Sequence, residues 1–189
     1  MPISQNRFLL HTLESSPEGS RPFVSKVITN NGFLPNLIAA LANAPVALET
    51  YLTVSEINSR ASLTLAERET VQITAAATHG CGFCVAGHTA VAQKKAKMNA
   101  EDVDALRGQR DVADPKLQAV ASFTRAVIRH RGAVLDEDLT AFLDAGFTNP
   151  QALEVVLGVS LATLCNFGNN LAQVPLNPEL DAYRWNPAV

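Results

Sequence analysis

The sequence predicts an all-α protein with one domain. Helix-start and helix-stop residues punctuate it at short intervals, and no segment shows the sustained alternation of β-branched and polar residues that is typical of a strand. At 189 residues the chain is long enough for one domain with a real core and short for two. We therefore expect a single domain over residues 1–189, with extended arms at about 1–20 and 175–189.

Individual helix boundaries follow from the same punctuation. Thr64 and Glu67 match a capping box, which predicts a helix that begins at Leu65. Pro45 and Pro115 suit the first turn of a helix, where a missing N–H costs nothing. The predicted helices cover residues 21–30, 34–43, 45–60, 65–78, 81–97, 99–107, 115–130, 136–144 and 149–174.

The bulk composition excludes several classes of partner. The net charge is −3 with mixed signs, which gives no electrostatic reason to expect nucleic acid or an anionic membrane. The first residues lack a basic region followed by a long apolar run, and no stretch reaches the roughly 18 uncharged apolar residues of a membrane helix. We expect a cytoplasmic protein.

Two helical stretches, residues 70–93 and 155–178, contain no Asp, Glu, Lys or Arg. A helix without charge on any face is usually buried on all sides. A domain of this size could bury one such helix in its core, but burying the equivalent of three is harder. The two stretches therefore predict a homo-oligomer in which neighbouring subunits cover part of this surface.

The chemistry concentrates at a close cysteine pair. Cys81, Cys84 and His88 are three and four residues apart, which places them on one helix face. A thiol in the first turn lies near the positive end of the helix dipole, and His88, one turn beyond Cys84, can accept the Cys84 proton. Cys84 is therefore the predicted nucleophile, and Cys81 lies within disulfide reach of it.

Glu69 completes this predicted site from the preceding helix. It lies 11 residues before Gly80, about 16 Å along the helix, while His88 lies about 12 Å beyond that turn. If the two helices fold back as an αα-hairpin, Glu69 and His88 come roughly level. Glu67 and Glu69 point about 200° apart, so that one can cap the helix while the other faces inward. We expect Glu69 to act with His88 in proton transfer.

Two other interpretations of the cysteines remain open. The pair with one His could be half of a zinc site, with Cys165, His79 or His130 as fourth ligand, but no second CxxC or His pair exists. The thiols could also be buried and inert. We predict neither a metal nor a cofactor. Cys165 lies in an apolar run far from a helix start, with no cation beside it in sequence, and is expected to be a buried bystander whose pKa is not lowered.

The motif residues resemble a known family. The run from Leu65 to Glu69, followed by Cys81, Cys84 and His88, is similar to the signature of the alkyl hydroperoxidase D group within the carboxymuconolactone decarboxylase superfamily. The phrase Phe33-Leu34-Pro35-Asn36 and the closing helix with Asn166, Asn169 and Asn170 resemble the peroxidase-related members of that group. The best-known peroxidases of the group have a His between the two cysteines, where this chain has Phe83.

The resemblance implies an all-helical fold, assembly into trimers or hexamers, and a thiol-dependent peroxidase. It implies that Cys84 reduces a hydroperoxide, that Cys81 resolves the product as a disulfide, and that Glu69 and His88 relay protons. A protein or small dithiol would supply the electrons. The alternatives are a dithiol–disulfide reductase that uses no peroxide, a γ-carboxymuconolactone decarboxylase, and a redox-sensing oligomer without enzymatic activity.

Overall fold

A computed structural model describes residues 7–186, and within that range the chain forms helices and no strand. This result confirms the predicted all-α class. The helices are α1 Arg21–Asn31, α2 Asn36–Leu41, α3 Pro45–Asn58, α4 Leu65–Thr78, α5 Gly82–Lys94, α6 Ala100–Arg107, α7 Pro115–His130, α8 Asp136–Asp144 and α9 Asn149–Ala172. Short 3-10 helices occupy Glu18–Ser20 and Pro178–Tyr183.

Helix α4 is the central element, and α5, α6, α7 and α9 pack around it. Its residues 69–77 are all buried, as the absence of charge over most of this stretch predicts. The capping box is present, since the Glu67 carboxylate accepts a hydrogen bond from the Thr64 amide at 2.6 Å. Glu69 then faces the interior, because it lies on the opposite side of the helix.

Helices α4 and α9 cross at close range. A Cβ on Gly158 would lie 2.9 Å from Cγ1 of Val71, so only glycine allows this approach. At the same place the Gln72 amide donates a hydrogen bond to the Gly158 carbonyl at 3.0 Å. The crossing fixes the position of Cys165, which lies about 10 Å further along α9.

Helix α9 has one buried and one exposed face. Among the described residues it is the one helix that is long and apolar enough to cross a membrane by length and composition. Its inner face packs against α3, α4 and α7, and its outer face carries exposed large apolar side chains. A count of uninterrupted apolar residues does not single out this helix, because polar residues such as Asn166 interrupt the run. The mean hydropathy of the helix nevertheless stays high.

Several predicted helices are longer than the observed ones. Helix α5 ends at Lys94 instead of near residue 97, and Lys97 takes up the left-handed conformation with φ of 56°. Helix α9 ends at Ala172, where the left-handed Gln173 with φ of 52° terminates it. In both places a residue other than glycine adopts the left-handed conformation, so the residue type alone does not predict where the helix ends.

The C-terminal arm differs from the extended segment expected at about 175–189. Residues 178–183 form a 3-10 helix that packs against α5. Beyond it, the Trp185 indole donates a hydrogen bond to the Arg107 carbonyl at 3.1 Å. The Trp185 carbonyl oxygen also lies so close to Gly82 that a Cβ added to this glycine would be 2.9 Å from it. The described part of this arm therefore covers the start of α5. Residues 1–6 and 187–189, the ends of the two expected arms, lie outside the described residues.

Candidate active site

The α4–α5 hairpin brings Glu69 and His88 into direct contact. His88 Nδ1 lies 2.8 Å from Glu69 Oε2, and Glu69 is buried. This is the juxtaposition that the helical spacing predicts. Since Nδ1 is engaged, the second ring nitrogen, Nε2, is the one available to a substrate or a thiol, and it has no hydrogen-bond partner among residues 7–186.

The carboxylate also sets the charge state of the imidazole. Burial by itself lowers the pKa of His88, but the charge of Glu69 and the hydrogen bond to it outweigh that effect. The net result is a raised pKa for His88, which favours the protonated, cationic form. In its neutral form an imidazole with a raised pKa is a stronger base than an ordinary histidine, so it can take a proton from a thiol and then return it to a leaving group.

The two cysteines of the motif lie at the start of α5. Cys81 is the N-cap residue, and its sulfur accepts a hydrogen bond from the Cys84 amide at 3.3 Å. Cys81 is completely buried and Cys84 nearly so. Hydrogen bonds to the sulfurs of Cys165 and Cys81, together with burial, raise the pKa of the Cys84 thiol. Cys84 is therefore a neutral thiol that needs a base before it can attack.

A third thiol lies within contact distance of Cys84. The Cys165 sulfur, on α9, is 3.8 Å from the Cys84 sulfur. Cys165 is buried as expected, but the expectation that its pKa is not lowered was wrong. Its hydrogen bond with Cys84 lowers the pKa of Cys165, with contributions from the charge of His88 and a hydrogen bond with Tyr51, although burial opposes the shift.

The sequence could not reveal this contact. Cys165 follows Cys84 by 81 residues, and α4 and α9 must cross at Gly158 before the two sulfurs can meet. Tyr51, on α3, was likewise missed, because no local motif connects it to the cysteines. Its hydroxyl stays protonated, since the nearby Cys165 sulfur and burial raise the pKa of Tyr51 well above its ordinary value.

A cavity of about 670 Å³ opens onto the thiols. Cys84, Cys165 and His88 line it together with largely apolar side chains, and the Lys94 and Lys95 side chains also border it. The apolar lining residues include Phe33, Leu37, Ile38, Leu52, Phe83 and Val91. A smaller cavity of about 140 Å³ is also lined by His88 and Cys165, and polar residues including Arg68 and Glu69 border it. The larger cavity can accommodate an apolar organic molecule beside the thiols.

The residues considered for a zinc site do not assemble into one. Among residues 7–186, no group of three or more His, Cys, Asp or Glu side chains has a spacing that could hold a metal ion. His79, one of the candidate ligands, lies 3.1 Å from the Asn166 side chain through its Nδ1, and its carbonyl accepts a hydrogen bond from Asn170. The two asparagines thus link α9 to the end of α4.

Residues 39–126 match the model of the carboxymuconolactone decarboxylase family. Over these residues, a little under half of the chain, the sequence is similar to that family. The matched region includes α4 and α5, and therefore Glu69, Cys81, Cys84 and His88. Cys165 lies beyond the region of the superfamily match. No curated protein matches the chain.

Solved structures share the fold over almost the whole chain. An alkylhydroperoxidase AhpD core, a peroxidase-related protein from Ralstonia eutropha JMP134, is 23% identical with a TM-score of 0.83, covering 94% of this chain and 95% of its own. A peroxidase-related protein from Silicibacter sp. TM1040 is 14% identical with a TM-score of 0.80, covering 97% of this chain and 100% of its own. The debrominase Bmp8 is 16% identical with a TM-score of 0.72, covering 88% and 90%.

These structures identify the fold as AhpD-like. At such low identities they do not transfer an activity, and the names of the three proteins differ in the reaction that they indicate. The family is enzymatic, and the function of this chain has to be argued from its own site.

Proposed function

We propose that this protein is a thiol-dependent peroxidase that reduces hydroperoxides through a Cys81–Cys84 dithiol–disulfide cycle. The observation that carries the proposal is the position of Cys84, which borders an apolar cavity that also includes the imidazole of the Glu69–His88 pair. A reactive thiol, a base and a cavity that can hold an organic substrate therefore lie side by side.

The first step oxidises Cys84. The neutral thiol loses its proton to His88, and the thiolate attacks the terminal oxygen of the hydroperoxide. An S–O bond forms and the O–O bond breaks, so that sulfur becomes a sulfenic acid and the alkoxide leaves. His88 returns the proton to the alkoxide, which departs as an alcohol. Glu69, 2.8 Å from Nδ1, stabilises the imidazolium between these two transfers.

The second step forms the disulfide. The Cys81 thiol gives up its proton and its sulfur attacks the sulfenic sulfur of Cys84, so that the S–S bond forms and the S–O bond breaks, and the hydroxide combines with that proton and leaves as water. An external dithiol, either a small molecule or a protein, then reduces the disulfide and becomes oxidised in turn. Such a cycle needs a compartment that keeps dithiols reduced, and we propose that the protein acts in the cytoplasm.

The cavity indicates the kind of hydroperoxide. Its lining around Cys84 is mostly apolar, including Leu37, Ile38 and Phe83, which favours an organic hydroperoxide with a hydrocarbon group over hydrogen peroxide. Phe83 occupies the position where the better-known peroxidases of the group have a His. Here it adds apolar surface to the cavity, and the Glu69–His88 pair is left as the proton relay.

The proposal is tested by stoichiometry in a single turnover. One equivalent of cumene hydroperoxide added to the reduced protein should yield one equivalent of cumyl alcohol and remove two free thiols per chain. If the hydroperoxide stays unreacted while the thiols of the protein reduce an added disulfide, the protein is instead a disulfide reductase. Turnover of a carboxymuconolactone that survives replacement of both Cys81 and Cys84 by Ser would identify a decarboxylase.

A further inference from the structure

The Cys165 sulfur has surroundings that differ from those of a structural cysteine. It lies 3.8 Å from the Cys84 sulfur and borders the same cavity as Cys84 and His88. A cysteine that only fills space would contact apolar side chains. Besides its apolar neighbours, this one lies near a second thiol, an imidazole and the Tyr51 phenol.

The distance permits a disulfide. Two sulfurs at 3.8 Å are in van der Waals contact, and a disulfide bond requires about 2.05 Å. The two sulfurs therefore start in contact and have to approach further for the bond to form. The Cys81 sulfur, in contrast, serves as the helix N-cap and accepts the Cys84 amide hydrogen bond, which ties it to the backbone of α5.

The charges around Cys165 suit a thiol that attacks. Its pKa is lowered by the hydrogen bond with Cys84, with further help from the charge of His88 and the Tyr51 hydroxyl. Within the pair, Cys165 is therefore the thiol that ionises more readily and Cys84 is the one that keeps its proton. Once Cys84 has been oxidised, the charge of His88 and the Tyr51 hydroxyl still favour a thiolate on the adjacent Cys165, and a thiolate is the form that attacks.

We propose that Cys165 is a second resolving thiol, which forms a disulfide with Cys84 across α5 and α9. The proposal rests on the proposed peroxidase function. The Cys165 thiol gives its proton to neutral His88, its thiolate attacks the sulfenic sulfur of Cys84, the S–S bond forms and the S–O bond breaks, and the hydroxide takes that proton back from His88 and leaves as water. The two electrons that reduce the peroxide thus come from Cys84 and Cys165. The Cys81 thiolate can then attack Cys84 and release Cys165, which passes the disulfide into the CxxC pair.

The decisive experiment removes Cys81 and keeps its cap. The variant Cys81→Ser retains a good N-cap residue, so α5 keeps its start. After one equivalent of cumene hydroperoxide, this variant should lose two thiols, and non-reducing peptide mapping should find a Cys84–Cys165 disulfide. The matched variant Cys81→Ser/Cys165→Ala should lose one thiol and carry a sulfenic acid on Cys84 that dimedone traps. Circular dichroism checks that both variants remain folded.

A second oxidant separates this proposal from the peroxidase function. Diamide forms disulfides from neighbouring thiols without any peroxide chemistry. A Cys84–Cys165 disulfide formed with diamide but not with hydroperoxide would support the pairing of the two sulfurs and reject the peroxidase. Two results in Cys81→Ser would overturn the role of Cys165. One is a Cys84 sulfenic acid that stays stable after hydroperoxide, and the other is the absence of a Cys84–Cys165 disulfide after diamide.

Discussion

At the scale of single residues, the Glu69–His88 ion pair controls the charge of the site. Because Glu69 raises the pKa of His88 above its ordinary value of about 6.5, the folded state binds a proton that the unfolded state has already released. The resulting stabilisation is fully present below about pH 6.5 and is lost as pH rises through the raised pKa.

Replacing Glu69 by Gln should remove this effect. The pKa of His88, followed by NMR, should fall, because burial then acts without the opposing carboxylate. The difference in melting temperature between the native protein and Glu69→Gln should be largest near pH 6 and should shrink towards pH 9. A difference that does not change with pH would show that Glu69 contributes packing but no charge interaction.

A second residue-scale prediction concerns the acidity of Cys84. Its hydrogen bond with Cys165 is the largest cause of its raised pKa, so Cys165→Ala should shift the pH profile of Cys84 alkylation to lower pH. The comparison is made in the Cys81→Ser background, where Cys84 is the thiol followed by mass spectrometry. An unchanged profile would mean that burial alone holds the proton on Cys84.

Sequence reasoning located some of these residues and missed others for a physical reason. Glu69, Cys84 and His88 lie on two consecutive helices, so helical rise and rotation suffice to place them on facing sides of a hairpin. Cys165 and Tyr51 reach the site through crossings of helices that are distant along the chain. Which helix packs on which depends on the shape of complementary side-chain surfaces, and a single sequence gives no direct measure of that.

At the scale of structural elements, the C-terminal arm and α5 fit together through Gly82. Any side chain there would approach the Trp185 carbonyl, since a Cβ would lie 2.9 Å from it. Gly82→Ala should therefore displace the arm, destabilise the protein by about 1–3 kcal/mol, and accelerate alkylation of the buried Cys81 several-fold.

The matched control is Gly87→Ala on the same helix. A Cβ at Gly87 meets no atom within 4 Å, and alanine in a helix is favoured over glycine by about 0.5–1 kcal/mol. This variant should be equal to the native protein or more stable, with Cys81 still protected. Equal alkylation of Cys81 in both variants would show that the arm does not shield it. Chemical denaturation and peptide mapping measure the two quantities.

The bounds of several helices could be predicted from the sequence, but the structure of the C-terminal arm could not. Helices α4 and α8 have the predicted bounds, because a capping box or a first turn rich in acidic residues marks the start and a clear break marks the end. The 3-10 helix at Pro178–Tyr183 owes its position to packing on α5 and to the Asn177 side chain, which accepts a hydrogen bond from the Asn36 amide at 2.7 Å. Such contacts over 141 residues of sequence leave no local signal.

At the scale of the whole molecule, the exposed face of α9 indicates how copies of the chain assemble. Large apolar side chains project into solvent from one side of this helix, and no residue of α9 on that side is charged. They are Leu153, Val156, Phe167 and Leu171. We propose that a second copy of the chain covers this stripe in a homo-oligomer, with the trimer or hexamer of the resemblance as the expected size.

Light scattering tests this assembly. The native protein should have a mass well above 20.2 kDa at micromolar concentration, and the double variant Leu153→Glu/Leu171→Glu should approach that monomer mass. Val46→Glu serves as the control, because Val46 is equally exposed but lies on α3. A native monomer would contradict the proposed interface.

The measurement closest to the central claim identifies the sulfur that first reacts with the hydroperoxide. Reduced Cys84→Ser and reduced Cys81→Ser each receive one equivalent of cumene hydroperoxide, and the remaining hydroperoxide is measured over time. The account predicts that Cys84→Ser consumes none beyond the background, while Cys81→Ser consumes one equivalent and stops unless a dithiol is supplied. Consumption by Cys84→Ser, with a sulfenic acid trapped on Cys81 or Cys165, would contradict it.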